Sequence, residues 1–461
     1  MGREACGAAG RPGTVRAVLG AVLGAMPALS QPVAAVTAEP SALRAELLVE
    51  GLTAPVELLE LPDGSGRRLI VEQTGLVRLI GADGRLADPP FLDLRGRILP
   101  LVQGFEERGL LGLAPHPEFA RTGRLYATYT APLRPGAPPD WNHTRRLVEF
   151  TVRADDPNRV DPASERTLLE LDWPSRKHMG GGLAFGPDGF LYVGLGDGGG
   201  VHGVGPEVLH DAFAVPERLA HWDLLAQDTE ALFGKILRID VDHGISAYAI
   251  PPDNPFRAGG GRSEIWAWGF RNPYRLVFDG AALLVSAPGE TFWEAIYRVD
   301  RPGNFGWAIK EGSHCFDRLR PTAPPPTCPA TGTLGEPLRD PIVEYPNMSV
   351  ERFGEGLGIA GVGSAVVGGR VYRGGTLPGF AGRLVFGDWS RSFAHASGQL
   401  FLASPPVGGD GPWSVERLLE LDGRMLGIGS DAAGELYLLT NEQLGPFGTT
   451  GKVWKLVPAG G

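Results

Sequence analysis

Cysteine is scarce in this chain, with three residues among 461. Cys6 lies in a segment that we expect to be removed, which leaves Cys315 and Cys328 on either side of a proline-rich loop. A zinc site would need more ligands close by. In an exported chain the two cysteines predict one local disulfide, which would stabilise the fold by about 2–4 kcal/mol in the chain-entropy account.

The sequence also lacks a long hydrophobic run and an excess of positive charge. After the N-terminal region, no stretch approaches the roughly 20 apolar residues that a membrane-spanning helix needs. The 43 Lys and Arg residues are outnumbered by 53 Asp and Glu residues, giving a net charge of −10. We therefore expect neither nucleic acid nor an anionic membrane surface as a partner.

The N-terminal segment has the order of regions found in a signal peptide. Arg3, Arg11 and Arg16 precede the short apolar run 17–25, and small residues at 35–38 offer a cleavage site. This pattern predicts a signal peptide at residues 1–38 and an exported domain, periplasmic or secreted, at residues 39–461. The alternative is a disordered N-terminal tail.

Helical periodicity is scarce, whereas glycine and proline are abundant, at 68 and 41 residues. One local theme, a turn followed by a short apolar strand, recurs six times along the chain. The apolar parts are Leu69-Ile70-Val71, Leu125-Tyr126-Ala127, Leu191-Tyr192-Val193, Leu283-Leu284-Val285, Leu384-Val385-Phe386 and Leu436-Tyr437-Leu438. Repeated hairpins at intervals of tens of residues predict an all-β fold, a six-bladed β-propeller.

Most of these strands are followed by an apolar partner, as at 76–80, 236–239, 295–299, 400–402 and 453–457. Residues 45–49 are placed to complete the sheet that contains Leu436 and Val453. The irregular spacing predicts long loops on one face, at 198–230, 315–338 and 349–363. Loops on one face of a rigid scaffold are where a site would be built.

Three polar segments are candidates for chemistry. His178 precedes three glycines, which allow a ligand to approach the backbone. Arg271 and Asn272 follow the run 264–268, and an arginine fork there would suit an anion or a developing alkoxide. Glu107 precedes a Gly-Leu-Leu-Gly strand. Taken singly, these residues could equally be a packing histidine, a structural ion pair and a solvated turn.

Together, however, five motifs occur in order along most of the chain. They are Arg108-Gly109-Leu110-Leu111-Gly112 with His116-Pro117, His178 with Gly180-Gly181 and Gly186-Pro187-Asp188-Gly189, the run 232–240, Gly269 with Arg271-Asn272-Pro273, and Gly303-Asn304-Phe305-Gly306-Trp307. With these motifs the chain resembles the glucose/sorbosone dehydrogenase family. The resemblance implies an exported six-bladed propeller that binds pyrroloquinoline quinone (PQQ) and calcium and oxidises sugars.

The resemblance also implies a role for each matching residue. His178 corresponds to the general base that takes the proton of the sugar C1 hydroxyl, a role that suits imidazole. Glu107 lies beside this base, and Arg271 and Asn272 contact the quinone. The loop 288–294 resembles a calcium-binding segment, with Gly289 and Glu290 as ligands, although a plain turn is the alternative.

The chain departs from the family pattern at several positions. Lys177 replaces an acidic residue before the base, so we expect the histidine to lose an orienting hydrogen bond. An Arg-x-Arg pair that binds the cofactor carboxylates reads Arg424-Met425-Leu426 here, and Arg391 takes the place of a lysine. Loss of cations should weaken the binding of PQQ, which carries three carboxylates.

The sequence therefore predicts an exported quinoprotein that oxidises the C1 hydroxyl of an aldose to a lactone with hydride transfer to PQQ. Its partners would be a small sugar and an electron acceptor. One alternative is a non-catalytic propeller binding module of the hedgehog-interacting type, which the lost cations would suit. Another is a calcium-dependent lactonase, which would need several acidic and amide side chains around an axial metal.

Overall fold

The computed structural model describes residues 37–38, 43–199, 225–244, 246–354, 357–409 and 411–459. Strands make up 44% of these residues and helices 3%, so the regular secondary structure is almost entirely β, which confirms the all-β prediction. Contacts divide the chain after Val33, and every described residue belongs to the second unit, Ala34–Gly461. Residues 1–36 of the predicted signal peptide, and residues 200–224 of the predicted loop 198–230, lie outside the described residues.

The chain forms short strands joined by turns. In chain order they are β1 (Thr37–Ala38), β2 (Leu43–Leu52), β3 (Pro55–Glu60), β4 (Arg68–Glu72), β5 (Leu76–Ile80), β6 (Leu92–Asp93), β7 (Leu110–Pro115), β8 (Arg124–Ala131), β9 (His143–Val152), β10 (Val160–Trp173), β11 (Gly180–Phe185), β12 (Leu191–Leu195), β13 (Lys235–Ile239), β14 (Ile265–Trp268), β15 (Arg275–Asp279), β16 (Ala282–Ala287), β17 (Trp293–Val299), β18 (Gly303–Asn304), β19 (Lys310–Glu311), β20 (His314–Cys315), β21 (Val343–Pro346), β22 (Val366–Val371), β23 (Leu384–Asp388), β24 (Ser397–Ser404), β25 (Ser414–Asp422), β26 (Arg424–Ser430), β27 (Leu436–Asn441) and β28 (Gly451–Pro458). Two one-turn helices, α1 (Phe119–Thr122) and α2 (Val350–Phe353), and a 3₁₀ turn at Pro378–Phe380 lie between strands.

The strands form antiparallel meanders. The sheet orders are β10-β9-β8-β7, β11-β12-β13-β14-β18, β15-β16-β17-β21 and β1-β25-β24-β23-β22, with a two-stranded β19-β20 ribbon. An eight-stranded sheet runs β2-β28-β27-β26-β3-β4-β5-β6. It consists of two meanders joined where Ser430 of β26 lies opposite Leu59 of β3 in a parallel pairing.

The predicted turn-and-strand repeats are the second strands of these meanders, namely β4, β8, β12, β16, β23 and β27. In the turn before β12, Gly189 has φ +82 and its N–H donates to the Gly186 carbonyl at 2.9 Å. The Asp188 side chain accepts the Phe190 N–H at 3.2 Å, so local turn chemistry fixes this hairpin. As expected, β2 pairs with β28, with Ala45 opposite Leu456.

The first strands of successive meanders contact one another in the order β3, β7, β11, β15, β22 and β26, and β26 contacts β3 in turn. Buried side chains fill the spaces between neighbouring sheets. Leu113 belongs to a cluster with Val71, whereas the next residue, Ala114, belongs to a cluster with Leu183. Successive residues of a strand face opposite sides of the sheet, so β7 is buried on both faces.

Candidate active site

Three of the predicted residues precede first strands that are neighbours. Glu107 precedes β7, His178 precedes β11, and Arg271 precedes β15. Because β7 contacts β11 and β11 contacts β15, the loops that lead into these strands lie side by side. The structure thus brings together the three residues predicted to be catalytic.

His178 is held by its backbone as well as by its side chain. The residue is 4% exposed and has φ +52, a conformation that non-glycine residues seldom adopt. Its N–H donates to Glu107 Oε2 at 2.6 Å. A Cβ added to Gly196 would lie 1.7 Å from the His178 carbonyl oxygen, so only glycine allows the two strands this approach.

The hydrogen bonds of the imidazole define its tautomer. Arg271 Nη2 lies 2.6 Å from His178 Nε2, and Asp197 Oδ1 lies 2.6 Å from Nδ1. A guanidinium only donates hydrogen bonds, so Nε2 must be an acceptor without a proton. The proton of the neutral ring is therefore on Nδ1 and points to Asp197. This is the tautomer in which Nε2 can take a proton from a substrate.

Asp197 was not among the predicted site residues, yet it orients the His178 imidazole. It is fully buried, and it accepts hydrogen bonds from the Gly199 N–H at 2.9 Å and from Trp307 Nε1 at 2.7 Å. Burial alone would raise the pKa of Asp197, but His178, Arg271 and the Gly199 N–H outweigh it and hold the pKa below 3.8. The expectation that a lysine at 177 leaves the base without an orienting hydrogen bond is therefore wrong.

Arg271 has a partner on each of its three guanidinium nitrogens. Nε donates to Glu290 Oε2 at 2.8 Å, Nη1 donates to the Pro288 carbonyl at 3.1 Å, and Nη2 contacts both Glu290 and His178. The Arg271 side chain is 13% exposed and that of Glu290 is 2% exposed. Burial works to lower the pKa of Arg271, but the two carboxylates of Glu290 and Asp197 prevail and raise it. The cation is therefore fixed beside His178.

The backbone of the predicted calcium loop, 288–294, is held by the carboxylate of Glu311, which lies outside the loop. Glu311 Oε1 accepts the N–H groups of Glu290 at 2.6 Å and of Thr291 at 2.5 Å. Burial raises the pKa of Glu311 above its ordinary value. The side chain of Glu290 is engaged by Arg271, and the Gly289 N–H points to Glu294 Oε2 at 3.4 Å. Among the described residues no group of three or more His, Cys, Asp or Glu could hold a metal ion, so calcium stays a prediction.

The other three residues predicted to bind the cofactor, Asn272, Arg391 and Arg424, are placed differently from one another. Asn272 is 8% exposed, and its Oδ1 accepts the Gly180 N–H at 2.7 Å, so it braces the start of β11. Arg391 has a side chain 49% exposed and lies 3.7 Å from Glu420 of β25. No contact joins Arg391 to His178 in the part of the chain that the structure describes.

Arg424 is buried at the start of β26 and contacts no carboxylate of the described residues. Its Nη1 donates to the Glu442 carbonyl at 2.6 Å, its Nη2 to the Phe393 carbonyl at 2.9 Å, and its guanidinium lies 5.2 Å from the Trp389 ring centre. Its Nε is buried without an acceptor. Burial lowers the pKa of Arg424. Leu426, two residues on, packs in the apolar core.

Phe105 contacts both Arg176, near His178, and the Trp389 region. Its ring centre is 5.8 Å from those of Trp389 and Phe393, and its carbonyl accepts a hydrogen bond of 3.4 Å from Arg176, two residues before His178. The loop that carries Glu107 therefore reaches across to the Trp389 region. No sequence motif indicated this contact.

The predicted disulfide between Cys315 and Cys328 is present, with Cα atoms 5.5 Å apart. The neighbouring Phe316 packs against Trp307 with ring centres 4.6 Å apart. Since Trp307 donates to Asp197, the disulfide-closed loop adjoins the residues that position His178.

A family profile described as Glucose / Sorbosone dehydrogenase matches residues 52–327, more than half of the chain. The chain belongs to the glucose/sorbosone dehydrogenase family. It is 29% identical over 422 residues to Hedgehog-interacting protein of Mus musculus, an alignment covering 89% of this chain and 52% of that protein. The chain thus spans about half the length of the curated relatives of this type that it matches.

Solved structures show the same fold. The soluble aldose sugar dehydrogenase of Escherichia coli, in the apo form, has a TM-score of 0.63 at 21% identity and covers 90% of this chain and 99% of its own. The PQQ-bound form of aldose sugar dehydrogenase from Streptomyces coelicolor has a TM-score of 0.60 at 21% identity, covering 91% and 99%. No helix in the described ranges has the length and apolar character to cross a membrane.

Proposed function

We propose that the chain forms a six-bladed β-propeller and acts as a PQQ-dependent sugar dehydrogenase. The cyclic contacts of β3, β7, β11, β15, β22 and β26 support six blades, with β2 completing the last sheet. The observation that carries the enzymatic proposal is the placement of the His178 imidazole, with Nδ1 2.6 Å from Asp197 Oδ1 and Nε2 2.6 Å from Arg271 Nη2, which makes Nε2 an acceptor.

The residues present fit PQQ at two points. Arg424 offers a buried Nε that has no acceptor, which suits one carboxylate of the cofactor. Arg271 offers a fixed cation beside the base, which suits a quinone oxygen that gains negative charge. Arg391 and Leu426 contribute less, because Arg391 is half exposed beside Glu420 and leucine has no charge.

When bound, PQQ would supply the acceptor for the hydride that leaves C1 of the sugar. The chain's own residues would handle the proton. His178 Nε2 would take it from the C1 hydroxyl, and the Asp197 carboxylate would stabilise the resulting imidazolium through Nδ1–H. Trp307 and Gly199 would keep Asp197 in place. Because Arg271 Nη2 now donates to Nε2, the substrate hydroxyl would replace it there while Arg271 Nε stays bound to Glu290.

The remaining proposals concern the setting of the reaction. We propose export to the periplasm or outside the cell, an aldose as substrate and a separate electron acceptor. Calcium would bind at carbonyl oxygens of the loop 288–294, since the Glu290 carboxylate is already paired with Arg271.

The proposal is tested by adding PQQ and calcium to the purified protein and measuring dye reduction with a panel of aldoses. We expect turnover in the wild type and a loss of at least about 10²-fold in His178→Ala. His395→Ala, which removes an exposed histidine, is the matched control and should keep full activity. An inactive wild type that binds no quinone, or an active His178→Ala, would contradict the proposal.

A second candidate is a non-catalytic binding module, and the placement of Phe105 favours it. The Phe105 ring packs on Trp389, and Arg424 lies over the same Trp389 ring, so Phe105 adjoins a residue proposed to bind the cofactor. The relative that matches 89% of the chain is named for binding, as Hedgehog-interacting protein. Calorimetry with PQQ separates the two candidates. Binding in the wild type supports the enzyme, whereas absence of binding in both the wild type and Phe105→Ala supports the module.

A further inference from the structure

A cavity of about 390 Å³ lies at the opposite ends of the first strands from the His178 cluster. It is lined where β15, β22 and β26 finish, by residues 277–280, 370, 371, 373 and 430–434. His178 and Arg271, in contrast, precede the beginnings of β11 and β15. The cavity is therefore separate from the site proposed for sugar oxidation, and its volume is in the range of small-molecule sites.

Arg370 is the unusual residue of this cavity. Its Nε is buried without an acceptor, and its guanidinium makes no hydrogen bond or ion pair with any described residue. The side chain is partly buried, and leaving its Nε–H donor buried without an acceptor is costly. Arg238 shows how a buried guanidinium is usually satisfied, because it donates hydrogen bonds to Asp188, Asp253 and Asn254.

The charged groups behind Arg370 are engaged elsewhere. Glu57 attracts Arg370 and Arg275 repels it, but neither bonds to it. Glu57 Oε2 accepts the Leu113 N–H at 3.0 Å, and Arg275 donates to the carbonyls of Leu111 at 2.7 Å and Val56 at 2.6 Å. The arginine therefore gains no partner from the interior of the molecule.

The carboxylates on the rim are also satisfied by other groups. Asp279 Oδ1 accepts from Arg373 Nη2 at 2.6 Å. Asp431 accepts from the Tyr437 hydroxyl at 2.8 Å and from the Glu435 N–H at 2.9 Å. The rim is thus polar and balanced, whereas the cation of Arg370 lacks an acceptor.

We propose that this cavity binds a small organic carboxylate whose two oxygens receive the N–H groups of Arg370. The planar guanidinium matches a carboxylate in a bidentate pair, which a single chloride cannot reproduce. The Ser430 hydroxyl, which also lines the cavity and has no partner among the described residues, supplies a further polar contact. The site does not depend on PQQ or on His178.

The test measures Tm and binding heat with sodium gluconate, compared with sodium chloride at equal ionic strength. Gluconate should raise the Tm of the wild-type protein above that in chloride, because a ligand that binds the folded state stabilises it. Arg370→Met should abolish this increase, and Arg370→Lys, which keeps the charge but loses the fork, should weaken binding about tenfold or more. Arg85→Met, at an exposed turn, is the control and should behave as the wild type.

A structural role for Arg370 predicts different results. If the side chain stabilised the fold, Arg370→Met would lower the Tm in chloride, whereas removal of a partly buried cation whose Nε has no acceptor should leave the Tm unchanged or raise it. An equal effect of gluconate on Arg370→Met, or no effect on the wild type, would overturn the proposal. Tighter binding of inorganic phosphate than of gluconate would overturn the assignment to a carboxylate.

Discussion

Arg271 and Arg370 occupy opposite ends of the first strands and differ in how completely they are satisfied. All three nitrogens of Arg271 have partners, and its fork is fixed between Glu290 and His178. Arg370 has no partner among the described residues and faces a cavity. An arginine whose nitrogens all have partners holds neighbouring groups in a fixed geometry. An arginine with an unused donor can bind a ligand. The family relationship accounts for the first arrangement only.

The largest effect is expected from Asp197→Asn, which tests whether the end of the first strands near Arg271 and His178 serves catalysis. An amide can donate to Nδ1 and so favour the tautomer with a proton on Nε2, where the base must be unprotonated. We expect kcat with PQQ to fall by roughly 10³ to 10⁴-fold, as for the same change in a Ser-His-Asp triad. Nitrogen chemical shifts of the His178 ring would report the tautomer. Asp240→Asn is the control, and an unchanged kcat would refute the role of Asp197.

Arg271→Ala should cost the most stability, because it leaves the buried Glu290 carboxylate without its cation. We expect the free energy of unfolding in urea to fall by about 3–5 kcal/mol. The double variant Arg271→Ala/Glu290→Gln should recover part of this loss, since no charge is then left unpaired. Arg370→Met should show no comparable loss. Similar losses in both arginine variants would mean that the two ends do not differ as described.

Arg424 and Arg391 can be compared by their affinity for PQQ, measured by calorimetry. Arg424→Gln removes a buried guanidinium with a free Nε, and we expect Kd to rise about tenfold or more. Arg391→Gln removes an exposed cation beside Glu420, and we expect less than a twofold change, since exposed pairs contribute little. A larger rise in Kd for Arg391→Gln than for Arg424→Gln would support the role in cofactor binding that the resemblance implies for Arg391.

The smallest effects concern two buried carboxyls with opposite pH dependence. Burial raises the pKa of Glu57 above 4.5, so the folded state binds more protons than the unfolded state above that pH, and stability falls as pH rises through this window. The pKa of Asp197 lies below 3.8, so its contribution is present above pH 3.8 and is lost as pH falls below it. Each slope is at most about 1.4 kcal/mol per pH unit.

Urea unfolding at several pH values would measure both slopes. Relative to the wild type, Glu57→Gln should lessen the decline in stability above pH 4.5, and Asp197→Asn should lessen the loss of stability below pH 3.8. If the contributions of Glu57 and Asp197 to stability changed with pH in the same direction, the raised pKa of Glu57 and the lowered pKa of Asp197 would be contradicted.

The sequence predicted the second strands well, because each depends on a turn and an apolar run that are adjacent in the chain. It also predicted His178, Glu107 and Arg271, which stand in motifs. Asp197 was missed although a signal existed. With the turn at 187–189, β11 and β12 pair so that Gly180 lies opposite Leu195, which brings His178 near Asp197. The register of a hairpin could therefore have indicated the partner of the base.

Other features could not be read from the sequence. Phe105 meets Trp389, and Arg370 faces its cavity, through the packing of segments far apart in the chain. The pattern of residues near Arg370 resembles that of any apolar strand with one charge. Its missing acceptor becomes visible only when every neighbouring carboxylate has been placed.

The pairing of β2 with β28 has a consequence for how the protein folds. Leu43 lies opposite Pro458, so the sheet that contains both ends of the domain cannot form until residues 451–458 have left the ribosome. Contacts between such distant segments are slow to form because the intervening chain must first be ordered. Until then β2 presents an unpaired edge, on which aggregation would begin. We expect a chaperone to be needed longest at this strand, and the final pairing to limit the folding rate.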